Sequence, residues 1–401
     1  MSEWKKVKLG EICERVTSGG TPKANVSSYY NPPTIPWLKT KEVNYCRITE
    51  TENYISEEGL KNSSAKLISP NSVIIAMYGQ GDTAGRIAIN KIPLATNQAC
   101  CNLTIDKSKA DYEFIYYQLC TLYDKLVSLK AGAAQPNLNA RIIKNLEIIM
   151  PSLPIQHRIA TILSRYDSLI ENYQKQIKLL EEAAQRLYKE WFIDLHFPEH
   201  ENTNIIDGVP EGWEKKKVNS IIELQSGFAF KSSTFDDNGA YKIVTIKNVK
   251  DGAFDGDNVS KIVAIPDKMP KHCILADGDI LLSLTGNVGR VCIVNGKSYL
   301  LNQRVAKLAT DYKAFTYCLF RSRDMFIEVN NLANGAAQQN VSPIRIGEMK
   351  ILLPNSELLQ EFESIVFKSI ARIISLQSQL RLLTEARDRL LPKLMSGEIT
   401  V

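Results

Sequence analysis

Gly132-Ala133-Ala134-Gln135-Pro136-Asn137-Leu138 returns about 203 residues further on as Gly335-Ala336-Ala337-Gln338-Gln339-Asn340-Val341. Self-similarity at a fixed spacing marks a repeated structural unit. The same offset carries Pro151 onto Pro354, Ala183 onto Ala386 and Leu187 onto Leu390. With small insertions the match runs back toward the N-terminus. Asn97-Gln98 answers Asn302-Gln303, Gly85-Arg86 answers Gly289-Arg290, Lys41-x-Val43 answers Lys247-x-Val249, and Trp4-x-Lys6 answers Trp213-x-Lys215. So many anchors in one order do not arise by chance, and the chain is a tandem duplication.

Each repeat has two parts of different character. Residues from about 4 to 150, and again from about 213 to 354, read as short strands and turns. Val73 to Met77 and Asp279 to Leu284 are buried-strand runs bounded by Asn, Asp and Gly, and Asp251-Gly252 and Asp277-Gly278 are turn signals. Asp111 to Lys125 and Lys313 to Glu328 carry Tyr, Phe and Leu at helical spacing and predict helices packed within these mixed domains. Beyond Pro151 and Pro154 a near-heptad seam begins: Ile159, Ile162, Tyr166, Leu169, Tyr173, Ile177, Leu180, Ala184, Leu187 and Trp191. Its counterpart is Phe362, Val366, Ser369, Ile373, Leu376, Leu380, Leu383, Arg387 and Leu390. A helix from Ile155 to Trp191 would be about 55 Å long, more than one domain of this size can cover, so the two helices are expected to pair with each other.

The expected fold is therefore α+β: two tandem mixed α/β domains, each followed by a long α-helix, the helices pairing as an antiparallel coiled coil in a pseudo-two-fold internal repeat. The boundaries read as 1–151, 152–197 for the first helix, 198–212 for a linker, 213–354, and 355–401 for the second helix and tail.

Composition narrows the function. The 401 residues hold 49 Lys+Arg against 44 Asp+Glu, a net charge of +5, with 44% hydrophobic and 23% charged side chains. That mix excludes wholesale disorder. No apolar run approaches the ~18 residues of a membrane helix, and the N-terminus lacks a signal-like apolar stretch, so a cytoplasmic protein without membrane contact is expected. Eight Cys and four scattered His form no C-x-x-C pair, so no zinc site is expected. The positive excess sits mainly in the first mixed domain, where residues 1–151 carry 18 basic and 14 acidic side chains.

Catalytic signatures are missing. Asn31-Pro32-Pro33-Thr34 is similar to the loop of amino-methylating DNA methyltransferases, but Thr34 has no ring to stack on a flipped base, and a proline-stiffened turn is the better reading. Pro198-Glu199 followed by Glu214-x-Lys216 straddles the linker and reads as solvated charge rather than a nuclease core. No G-x-x-x-x-G-K-[ST] loop is present. The chain reads as a binder, with no catalytic residue and no metal.

The order of parts resembles the specificity subunit of type I restriction–modification systems. The resemblance spans nearly the whole chain. It is strongest in Leu180-Glu181-x-x-Ala184-Gln185-x-Leu187-Tyr188-Lys189-x-Trp191-Phe192 ending at Phe197-Pro198, and in Arg387-Asp388-x-Leu390-Leu391-Pro392-Lys393-Leu394-Met395-Ser396-Gly397-Glu398-Ile399. Pro210-x-Gly212-Trp213, Gly59 to Lys66, Leu301-Asn302-Gln303-Arg304 and the two G-A-A-Q-x-N segments agree with it. It implies target recognition domains held by the coiled coil, double-stranded DNA as ligand, two methyltransferase subunits docked on the scaffold, and two motor-nuclease subunits for cleavage. S-adenosylmethionine, ATP and Mg would then reside on those partners, with no cofactor on this chain.

Two similar readers on a rigid rod suit two half-sites at fixed separation, and because the repeats differ, the half-sites should differ. Side chains able to pair with base edges make Ser18, Gly19, Thr21, Lys23, Lys39, Lys41 and Arg86 the DNA-binding candidates of the first domain. Those of the second are Ser226, Lys231, Lys247, Asn248 and Arg290. Gln135, Asn137, Gln338 and Asn340 recur in both halves and so suit structure or phosphate contact better than base choice. Trp191, Phe192, Leu390 and Leu391 are candidate docking anchors for the methyltransferase subunits, with closure of the local cores as the competing role. A coiled-coil adaptor that binds only protein ligands is the alternative function.

Overall fold

The computed structural model describes residues 4–130, 137–257, 259–333 and 339–401. The chain forms two compact units, one built from Met1–Leu169 with Thr384–Val401 and the other from Ile170–Leu383.

In the first unit a five-stranded sheet runs in the order Cys13–Ser18, Cys100–Ile105, Val73–Ala76, Ile87–Asn90, Cys46–Ile48. Val73-Ile74-Ile75-Ala76 is buried along its whole length, as a strand covered on both faces must be. A second sheet has the order Tyr54–Ile55, Ile35–Leu38, Leu94–Thr96, Leu67–Ile68. Helix Tyr112–Thr121 starts where Asp111 accepts hydrogen bonds from the Glu113 and Phe114 amides. Lys5–Lys8 pairs antiparallel with Glu147–Met150 and so closes the domain just before the first long helix.

The second unit repeats this plan. One sheet runs Glu223–Ser226, Val305–Ala309, Ile280–Ser283, Val291–Ile293; the other runs Ser260–Ile262, Tyr241–Val244, Tyr299–Leu301, Ile274–Leu275. Glu214–Lys217 pairs with Lys350–Leu353 as the closing ribbon. The stretch expected as one helix from Lys313 divides into Lys313–Arg321 and Arg323–Leu332, because Ser322 leaves helical geometry and its side chain caps the Met325 amide.

The long helices span Leu153–Phe192 and Ser356–Ser396, and they pair antiparallel. In the first unit the early part of one meets the late part of the other, where Arg387 Nη1 lies 2.9 Å from Asp167 Oδ1. In the second unit Trp191 and Phe192 pack with tilted and edge-on rings against Phe362 at centroid distances of 5.7 and 4.9 Å. The buried stripe of the first helix departs from the expected seam most clearly around Leu169. Leu169 is 38% exposed, whereas Leu163, Asp167 and Ile170 are buried.

A carboxylate can occupy that stripe because it is surrounded by donors. Asp167 Oδ2 accepts from the Tyr117 hydroxyl at 2.5 Å and from Arg47 at 2.8 Å, and Arg47 reaches Glu113 Oε2 at 2.6 Å. Burial pushes the Asp167 carboxyl up, but Tyr117, Arg387 and Arg47 outweigh it and hold the group below its ordinary range. The second unit uses a related contact, with Tyr317 donating to Glu181 Oε1 at 2.7 Å. There burial prevails and raises the Glu181 carboxyl. No helix among the described residues is long and apolar enough to cross a membrane.

Candidate nucleic-acid interface

A matching corner is built into each unit where the first strand of the main sheet ends. In the first unit the strand Cys13–Ser18 runs into Gly19, which lies so close to the 96–97 backbone that a Cβ would sit 2.1 Å from the Thr96 carbonyl oxygen. In the second, Glu223–Ser226 runs into Gly227, where a Cβ would sit 2.2 Å from the Asn302 carbonyl oxygen. Glycine is demanded at both places by close backbone approach.

The segment beneath is held by equivalent hydrogen bonds. Asn97 N donates to Leu38 O at 3.0 Å, Cys100 N to Asn97 O at 3.2 Å, and Met77 N to Ala99 O at 2.7 Å. In the second unit Asn302 N donates to Val244 O at 3.1 Å, Val305 N to Asn302 O at 3.0 Å, and Leu284 N to Arg304 O at 3.0 Å. The ends of the repeated G-A-A-Q-x-N segments meet the same strands, with Leu138 N on Met77 O and Val341 N on Leu284 O, each at 3.0 Å.

Around the first corner, Thr21 is exposed and its hydroxyl bonds the Gln98 side chain. Ser18 is half-buried and Lys23 is exposed. Lys39 lies over the Trp37 ring at 5.0 Å and donates to Asn53 Oδ1 at 2.9 Å. Lys41 is paired with Glu52, which raises its ammonium pKa through their hydrogen bond. Arg86 is paired with Asp82 at 2.5 Å. Lys41 and Arg86 thus carry their own counter-charges.

Around the second corner, Ser226 is exposed, and its carbonyl accepts from His272 Nε2 at 2.8 Å. Lys231 and Lys247 are exposed. Asn248 is fully buried. Its Oδ1 accepts from the Thr245 amide and hydroxyl at 2.8 and 2.9 Å, and its Nδ2 donates to Asp255 O at 2.9 Å. That side chain holds a turn and is withdrawn as a base reader. Arg290 lines a separate recess of about 370 Å³ together with Arg321 and Arg323.

Gln135 and Gln338 lie outside the described residues. Asn137 is half-buried, and Asn340 Oδ1 accepts from the Thr285 hydroxyl at 2.9 Å. Trp191 and Phe192 are not open to a partner. They sit in the core of the second unit with Trp213, Phe315 and Phe362, because the end of the first helix closes that core. Leu390 and Leu391 pack partly buried against the core of the first unit.

Two adjoining clefts of about 500 and 420 Å³ flank the second corner and share Gln303 and Arg304. Ser226, Thr285 and Asn340 line the first, Lys247 and Asn302 the second, and among the described residues neither is lined by an acidic side chain. A recess with two cations, several amides and no carboxylate favours an anionic, hydrogen-bonding ligand. Ser226, Lys247 and Asn340 are brought together here from distant stretches of sequence. Gln303 and Arg304 were not among the sequence candidates. The repeat of Asn97-Gln98 as Asn302-Gln303 was the signal that could have found them.

Comparison with known proteins gives a consistent result. A family model described as "Type I restriction modification DNA specificity domain" matches residues 1–182 and again 210–383. The type I restriction enzyme MjaIX specificity subunit of Methanocaldococcus jannaschii is 30% identical over 416 residues, covering 100% of this chain and 94% of that protein. The HindI specificity subunit of Haemophilus influenzae is 21% identical, with 100% of both chains covered. The crystal structure of the S subunit of a type I restriction–modification system from M. genitalium superposes with a TM-score of 0.65 at 18% identity, covering 98% of this chain and 96% of that one.

Proposed function

The chain belongs to the family of type I restriction–modification DNA specificity subunits, and on that premise we propose that it selects the DNA sequence on which partner subunits act. The observation that carries the reading is the family match, which falls once on each repeat. Each mixed domain reads one half of a bipartite target. Because the repeats differ at exposed positions, the target is asymmetric. The paired long helices set the spacing between the half-sites and offer two related surfaces to two methyltransferase subunits. Two motor-nuclease subunits complete the restriction complex.

In this reading, adenine methylation and cleavage are performed by those partners, which bring S-adenosylmethionine, ATP and Mg. The chain supplies duplex DNA binding and the choice of site. Ser18, Thr21, Lys23, Lys39, Ser226, Lys231 and Lys247 remain the proposed contact residues, with backbone phosphates as the expected target of the lysines.

The test is modular exchange. The chain is co-expressed with its methyltransferase subunits and methylated adenines are mapped across a genome. One bipartite motif is expected. Replacing residues 1–150 with those of a relative should change one half of that motif and leave the other intact. A change in both halves, or in neither, removes the reading. Duplex affinity that does not fall with salt would point instead to a protein adaptor.

A further inference from the structure

We propose that Arg304 selects a guanine in the half-site read by the second unit, an inference that rests on the function proposed above. The two corners offer an internal comparison. Ala99 and Arg304 occupy equivalent positions, since each carbonyl accepts from the residue that follows an equivalent strand, Met77 after Val73–Ala76 in one unit and Leu284 after Ile280–Ser283 in the other. The residue before each is glutamine, Gln98 and Gln303. A contact needed by both halves alike, such as one to a phosphate, would be repeated. Glutamine is repeated and arginine is not, for Ala99 is buried and has no polar side chain. The difference therefore falls at a place in this corner where the half-sites can be told apart.

The geometry suits a reader. The Arg304 backbone is fixed, with its carbonyl on Leu284 N and its amide on Asn302 Oδ1 at 3.3 Å. Its side chain is exposed, and among the described residues it has no ion pair or hydrogen bond. This contrasts with Arg86, which Asp82 already satisfies. A fixed stem keeps the ordering cost on binding low, and an unpaired guanidinium keeps its fork free. Among the described residues both clefts that Arg304 lines are free of carboxylates and contain Gln303, with Lys247 in one and Asn340 in the other. The guanidinium fork matches the O6 and N7 acceptors of guanine on the major-groove edge.

The experiment compares R304A and R304Q with the native chain, each assembled with its methyltransferase subunits and offered a library of randomised duplexes. Methylated adenines are read by sequencing, and duplex affinity is measured against salt. The native complex should require guanine at one position of the second half-site. Both variants should lose that discrimination by about 10- to 100-fold, keep the first half-site, and keep the native salt slope. An unchanged motif overturns the assignment. So does an even loss across all sequences with a shallower salt slope, the behaviour of a phosphate contact. A native complex that methylates without sequence preference overturns the proposed function itself, which is a different result from a native motif that survives R304A.

Discussion

Arg387 on the second long helix and Asp167 on the first form an ion pair at 2.9 Å in the first unit, with the Asp167 side chain only 7% exposed. The pair joins elements 220 residues apart in sequence. Removing one member of such a pair leaves buried charge without compensation. Asp167→Asn should therefore cost about 3 kcal/mol of stability, read from urea denaturation. A double-mutant cycle with Arg387→Met should show coupling of about 1–3 kcal/mol, and strict additivity would deny the pair its role.

Acidification probes the same contact. The folded-state pKa of Asp167 is depressed, so its contribution is fully present above the unfolded value of about 4 and is lost as pH falls through the folded value. Stability of the native chain should drop more steeply than that of Asp167→Asn as pH is lowered from about 4. Parallel curves for the two proteins would contradict this.

Phe192→Ala distinguishes a core residue from a docking anchor. Phe192 lies 5.1 Å from Phe315 and 5.9 Å from Trp213 by ring centroids. Its truncation should destabilise the isolated chain by about 3–5 kcal/mol, before any partner is added. Native stability of the free variant, with only methyltransferase assembly impaired, would return Phe192 to the surface.

Gly19→Ala and Gly227→Ala should each cost about 1–3 kcal/mol through overpacking, because the added methyl meets backbone rather than a yielding side chain. Thermal melting reads the loss. Indifference at both positions would mean that the two corners relax freely.

Lys23→Ala and Lys231→Ala address phosphate contact. Each should weaken duplex binding evenly across sequences and reduce the salt slope by about 1. A changed methylation motif would instead make either residue a base reader.

Much of this architecture is legible in the sequence. The duplication and the three-four spacing of apolar residues name the two mixed domains and the paired helices, because burial imposes its period directly on sequence. The Leu169 expectation failed because a seam drawn from apolar residues passes over Asp167, whose burial depends on Arg47, Tyr117 and Arg387 arriving from elsewhere. Asn248 failed for a related reason. An amide that can read adenine can equally hold a turn, and only the positions of Thr245 and Asp255 decide. For Trp191 and Phe192 the sequence leaves docking and core closure both open, because nothing near them in sequence reveals Phe315 and Phe362. Arg304 does not stand out in the sequence because its significance lies in its contrast with Ala99, which becomes visible once equivalent hydrogen bonds align the two corners.

The first unit joins Met1–Leu169 to Thr384–Val401. Trp4 lies against Gly397, and Leu394 and Met395 are buried in the same core as Leu163. A ribosome making this protein therefore completes the first globule only after the second is already in the nascent chain. Termination ahead of Leu394 would spoil the domain whose translation began first.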